Sequence, residues 1–176
     1  MRCRLPMTAF AITAGLIFSP GPSFAQTPSS STTNYKVLAR EKDGFNVSAV
    51  EELLKRGDSS VAKGDLAEAR EHFDKARTAS KQLLSFYRDL SGAFRGLDAR
   101  IPREMDAKGR KTLILLSNAN LRLAALFRRQ NKPEVAVPLL VEVVRLTTPA
   151  KPEGQKAYQS LIELGSVDTP YLGASR

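Results

Sequence analysis

Few side chains in this sequence are of types that do chemistry. His72 is the single histidine, and Glu68 lies four residues earlier, one helical turn away, where the two could pair. A catalytic zinc needs three protein ligands, yet the single cysteine, Cys3, stands at the far N-terminus. His72 therefore reads as a solvated or hydrogen-bonded helix histidine, with no metal and no cofactor. Asp98, Glu104 and Asp106 could supply a general acid and base. They lie among Arg95, Arg100, Arg103, Lys108, Arg110 and Lys111, and such cations keep carboxylates ionised where an acid needs a raised pKa. No nucleophile elbow, phosphate-binding loop or calcium loop occurs. The chain reads as a protein that binds and does not catalyse.

The elements that would carry a binding site follow a long N-terminal preamble. Arg2 and Arg4 precede the apolar run MTAFAITAGLIF and the small-residue stretch SPGPSFAQ, the order of a secretory signal peptide cleaved after Ala25. An uncleaved anchor is the competing reading, but the run from Met7 to Phe18 is shorter than the roughly 20 residues a bilayer crossing needs. Residues 1–25 are read as the signal, 26–44 as a flexible linker that opens with the polar QTPSSSTTN, 45–165 as one helical domain and 166–176 as an irregular tail. Export to the periplasm or another extracytoplasmic compartment follows. Cys3 leaves with the signal, so stability must come from packing without disulfides.

Within the domain, apolar spacing predicts helices only. The first runs from Ser48, with Ser48 and Glu51 as a capping box, to Ala62. A second begins behind Asp65 and Glu68 and carries Leu66, Ala69, Phe73, Ala76, Ser80, Leu83, Tyr87, Leu90 and Phe94 at alternating spacings of three and four, a seam on one long helix. A charged connection with a short helix from Pro102 to Ala107 is expected next. TLILLSNANLRLAALFRRQ then reads as a buried helix, and EVAVPLLVEVVRLTTP as a helix despite its valines and Pro138, because period-two alternation is absent. EGQKAYQSLIELG closes the set.

Gly57, Gly64, Ala69, Phe73 and Ala76 have a spacing that resembles a tetratricopeptide repeat, a helix-turn-helix unit of about 34 residues in which small residues let the helices close on an aromatic. A second, looser match runs from Asn120 to Pro149, through Ala124, Phe127, Ala136, Leu140 and Val143, with Asn131-Lys132-Pro133 at the turn. The fold class is thus all-α, built of antiparallel helix hairpins, tetratricopeptide-like or a short helical bundle with one long helix.

The resemblance implies that the first helix of each unit lines a groove. Asn118, Arg122 and Arg129 match groove-side positions, and the equivalent face of the first helix offers Glu51, Lys55 and Asp58. Arginine there would grip a carboxylate through two parallel hydrogen bonds, and asparagine a peptide backbone. The competing reading is that this stripe faces water. With 27 basic against 18 acidic residues, a formal charge of +9, an exported chain would meet an acidic protein or peptide and no nucleic acid. The alternative is a structural protein whose basic connection, Arg95 to Lys111, contacts anionic membrane or wall polymer. An uncovered seam on the long helix would demand a homodimer.

Overall fold

The computed structural model describes residues 45–173; the expected signal and linker lie outside them, as do residues 174–176 of the tail. The described residues form five helices, α1 (Val47–Ala62), α2 (Leu66–Ala93), α3 (Arg100–Arg129), α4 (Pro133–Thr147) and α5 (Pro152–Glu163). Successive helices pack as antiparallel pairs. α3 also touches α1 on one side and α5 on the other, so α1, α3 and α5 form one layer and α2 and α4 the second.

Three helices of the first layer end with one backbone device. Gly64, Asn131 and Gly165 adopt left-handed φ of 83°, 53° and 68°, which glycine and asparagine tolerate best. After α1, the amides of Gly64 and Asp65 donate to the carbonyls of Val61 and Ser60 at 3.1 and 2.9 Å. Asn131 and Lys132 repeat the pair on Arg128 and Phe127 at 3.0 and 2.9 Å, and Gly165 and Ser166 on Ile162 and Leu161 at 2.8 and 3.0 Å. The spacing from Gly64 to Asn131 relates the two hairpins position by position: Gly57 and Ala124, Ala69 and Ala136, Phe73 and Leu140, Ala76 and Val143, and Ser80 and Thr147 are all buried. Ser80 and Thr147 both turn their hydroxyls onto the carbonyl four residues back, at 2.7 and 2.9 Å. The spacing from Asn131 to Gly165 likewise relates buried Asn120, Leu123 and Phe127 of α3 to buried Gly154, Ala157 and Leu161 of α5.

Close packing explains the small residues. A Cβ at Gly57 would lie 2.2 Å from Cε1 of Phe73, a ring that is 1% exposed. Only glycine lets α1 and α2 meet across that ring. In the second hairpin Leu140 stands where Phe73 stands, and Ala124 fits where Gly57 is required.

The charged connection is corrected by the structure. Where a loop with a short helix from Pro102 to Ala107 was expected, α3 is one helix of 30 residues beginning at Arg100. Pro102 falls in the first turn, where its missing amide hydrogen leaves no bond unmade. Met105 and Thr112 are buried where α3 packs on α2, and a Cβ added at Gly109 would stand 3.9 Å from Tyr87 Cβ, in ordinary contact. Ser91 Oγ donates to Asp106 at 2.8 Å. Most of the seam on α2 is covered within the chain: Ala69, Phe73, Ala76, Ser80, Leu83 and Tyr87 are buried among the packed helices, and Leu66, Leu90 and Phe94 are partly buried.

A smaller correction concerns the start of α1. Asn46, not Ser48, caps α1, its Oδ1 accepting from the Ala49 amide at 2.8 Å and from Ser48 Oγ at 2.6 Å; a side chain two residues earlier was better placed for the free amides. As expected, α4 keeps its helix through Pro138; it ends at Thr147, and the capping Thr148 has a φ of 60° and a ψ of 155°, a region that suits glycine. A Cβ on Gly154 would stand 1.9 Å from the Thr148 carbonyl oxygen, so α5 starts directly against the end of α4.

One polar group ties three helices. Arg77 of α2 donates from Nε to Oδ1 of Asn120 on α3 and from Nη2 to Glu142 on α4, both at 2.7 Å. Lys81 reaches the other Glu142 oxygen at 2.7 Å. After α5, Tyr158 donates its hydroxyl to the Thr169 carbonyl at 2.7 Å, and its ring meets Tyr171 edge-on at 6.4 Å, laying the irregular tail against the helix.

Candidate partner-binding groove

Lys111, Ile114, Asn118, Arg122, Ala125 and Arg129 recur at three- and four-residue spacing along α3 and so share a face. On α1, Glu51, Lys55 and Asp58 do the same. The structure brings these two faces together by ion pairing. Arg122 Nε donates to Asp58 Oδ1 at 2.7 Å and Nη2 to Oδ2 at 2.9 Å, and Lys111 meets Glu51 at 2.8 Å. Arg122 Nη1 also reaches the Asn118 carbonyl at 3.4 Å. The guanidinium read from sequence as open to a carboxylate is thus already held by one from α1.

On the other flank of α3, a cleft of about 340 Å³ lies between α3 and α5. Asn118, Arg122 and Arg128 form one wall, Lys156 and Ser160 the other, and Leu140 of α4 lies at the base. Arg128 spans the two helices, with Nη2 2.9 Å from Glu163 and Nη1 3.4 Å from Ser160 Oγ. Lys156 has no acidic partner among the described residues. Ile114, 45% exposed, adds an apolar point on the same α3 face. Arg129 and Lys55 are exposed and without ion pairs among the described residues.

Arg128, Lys156 and Ser160 were missed in sequence. Arg128 shares a helical face with Asn118 and Ala125 of α3, and Lys156 and Ser160 share one on α5, but neither face has meaning as a site until α5 is known to lie beside α3.

The remaining sequence candidates resolve individually. His72 Nε2 stands 3.7 Å from Glu68 Oε1, while its Nδ1 is buried without a hydrogen-bond partner among the described residues. Asp98 receives Arg100 through its side chain and its backbone amide, and these bonds hold its carboxyl down at about 2. Glu104 takes Lys108 at 2.5 Å. Lys111 leaves the basic surface to which it was assigned and joins the α1 face. Among the described residues no group of three or more His, Cys, Asp and Glu could hold a metal ion, and no helix is long and apolar enough to cross a membrane.

Taken together, the described residues are an all-helical protein of stacked antiparallel hairpins. No protein-family model matches the chain, and no curated protein matches it. Among solved structures it is similar to the N-terminal domain of stress-induced protein-1 from C. elegans, at 20% identity over 68% of this chain and 96% of that one, with a TM-score of 0.27. A superposition that loose transfers neither register nor residue roles.

Proposed function

We propose that this chain is an exported, non-catalytic protein-interaction module of tetratricopeptide-like form, which takes an acidic protein or peptide segment along α3 between α1 and α5. The reading rests on one observation: the face of α3 is flanked by two parallel helices, and Asn118, Arg122, Arg128 and Lys156 converge on the cleft between α3 and α5. Recurrence of the same turn at Gly64, Asn131 and Gly165 supports the repeat reading, since it sets α1, α3 and α5 in equivalent positions.

An entering carboxylate would be taken by Lys156 and by exchange at Arg122. That exchange is cheap, because the Arg122–Asp58 pair is solvent-accessible, with side-chain exposures of 35% and 50%, and such pairs contribute only about 0–1 kcal/mol. Asn118 would meet the backbone of the ligand, and Ile114 an apolar side chain.

The test is crosslinking capture from the exported fraction with the wild-type chain and with Arg122→Ala/Lys156→Ala. A protein partner captured by the first and lost by the second supports the groove. Equal recovery by both sinks it.

A further inference from the structure

The outer end of the α2–α3 pair carries a second surface. Four of its arginines, Arg88, Arg95, Arg103 and Arg110, make no ion pair among the described residues, whereas Arg100, Lys108 and Lys111 are engaged by Asp98, Glu104 and Glu51. Arg103 and Arg110, seven residues apart on α3, occupy one side of that helix, while Arg88 lies near the end of α2 and Arg95 in the turn that follows it. Arg88, Arg95 and Arg110 line a shared cleft of about 290 Å³, with Tyr87 and Met105 as its apolar wall and Asp106 as its one acid. Ser91 donates to that acid.

At the tip, Leu97 is 80% exposed. It is held outward by an ordered turn: the amides of Leu97 and Asp98 both donate to the Phe94 carbonyl, at 3.0 and 3.2 Å, and Asp98 is fastened to Arg100 at 2.8 Å. The turn therefore presents an apolar point whose nearest acid is already neutralised, with unpaired guanidinium groups behind it.

From this arrangement we infer that the tip of the α2–α3 pair docks on an anionic phospholipid surface, the four arginines meeting headgroup phosphates and Leu97 entering the boundary between headgroups and acyl chains. The occupant follows from charge complementarity: guanidinium matches phosphate through paired hydrogen bonds, and Leu97, exposed at the tip beside these cations, is placed to enter the headgroup boundary once they engage. Contact is with the surface only, because no described helix is long and apolar enough to cross. The site is separate from the α3–α5 cleft and stands or falls without it.

The experiment is co-sedimentation of the full-length chain with phosphatidylglycerol-containing vesicles and with vesicles of phosphatidylcholine alone, comparing wild type, Arg88→Gln/Arg95→Gln/Arg103→Gln/Arg110→Gln, and Leu97→Ser. All five positions are exposed, so the variants keep the fold, and residues 1–44 are common to every chain and cancel. Each arginine near an anionic surface contributes about a fivefold gain, so the four-arginine variant is expected to lose at least about a hundredfold in binding to anionic vesicles. Leu97→Ser is expected to lose about tenfold, including at high salt where the arginines are screened. Anionic-vesicle binding unchanged in the arginine variant overturns the proposal. So does stronger retention on soluble polyglutamate than on the vesicles, which would assign the arginines to an acidic protein, or an equal loss caused by Arg122→Ala, which would move the site to the groove.

Discussion

Asp58 and Arg122, 64 residues apart in the chain, meet as a two-bond fork between α1 and α3 at 2.7 and 2.9 Å. On the proposed reading the pair would gate the groove, since the cation that would take a ligand carboxylate is already occupied by one. Asp58→Asn should free the guanidinium at a stability cost of at most about 1 kcal/mol. Capture of an acidic partner should rise several-fold in this variant and fall in Arg122→Ala. Opposite signs in the two variants, read by quantitative crosslinking, are the expected result; a fall in both would mean that the fork itself shapes the site.

Gly57 and Phe73 set the sign of a second prediction. An alanine at an interior helix position normally gains about 1 kcal/mol over glycine, but here the added Cβ would fall 2.2 Å from the ring. Gly57→Ala should therefore lose about 1–2 kcal/mol in urea denaturation. In a Phe73→Leu background, which copies the Ala124 and Leu140 pairing of the other hairpin, the same change should become neutral or stabilising. Additive losses in the double variant would show that the ring is not the obstacle.

Glu142 should give the fold a pH dependence. Burial raises its carboxyl pKa, but hydrogen bonds from Lys81 and Arg77 and their charges outweigh that and hold it below its ordinary 4.5. With a lowered folded-state value, the ionised group's contribution is full above the unfolded value and is lost as pH falls through the folded one. Glu142→Gln should thus cost about 1 kcal/mol at pH 7, and the gap between wild type and variant should shrink below about pH 4.5. Stability curves for both proteins at several pH values check it; a gap that persists unchanged at pH 3 contradicts it.

Thr148 sits with a φ of 60° and a ψ of 155°, where a β-branched side chain is strained by about 1–3 kcal/mol. Glycine would relieve that strain while giving back about 0.5–1 kcal/mol of chain entropy. Thr148→Gly is expected to stabilise by about 1 kcal/mol, and Gly154→Ala to destabilise by more, since its Cβ would strike the Thr148 carbonyl. Equilibrium unfolding of the two variants measures both.

Helix types and most of the core were legible because apolar spacing dictates which face is buried, and Ala69, Phe73 and Ala76 are buried as their spacing required. The stretch from Arg100 to Lys111 was misread because its charges and Gly109 resemble a loop in isolation. It is helical because Met105 and Thr112 find a partner surface on α2, a long-range fact with no local signal. The groove was half legible. Helical spacing grouped Asn118 with Arg122, and Glu51 with Asp58, but it could not show that Asp58 would occupy Arg122, or that Lys156 and Ser160 of α5 would form the facing wall.

The unbroken run of α3 has a mechanical consequence. Arg103, near one end, and Arg122, at the groove, belong to the same rod, about 28 Å apart along its axis at 1.5 Å per residue. Nothing between them can hinge, because Met105, Thr112, Leu116 and Ala119 are packed along the way. If the arginine end docks as proposed, the α3 face is carried at a set height and bearing above the surface, and the outer half of the helix pair would work as a strut that aims it.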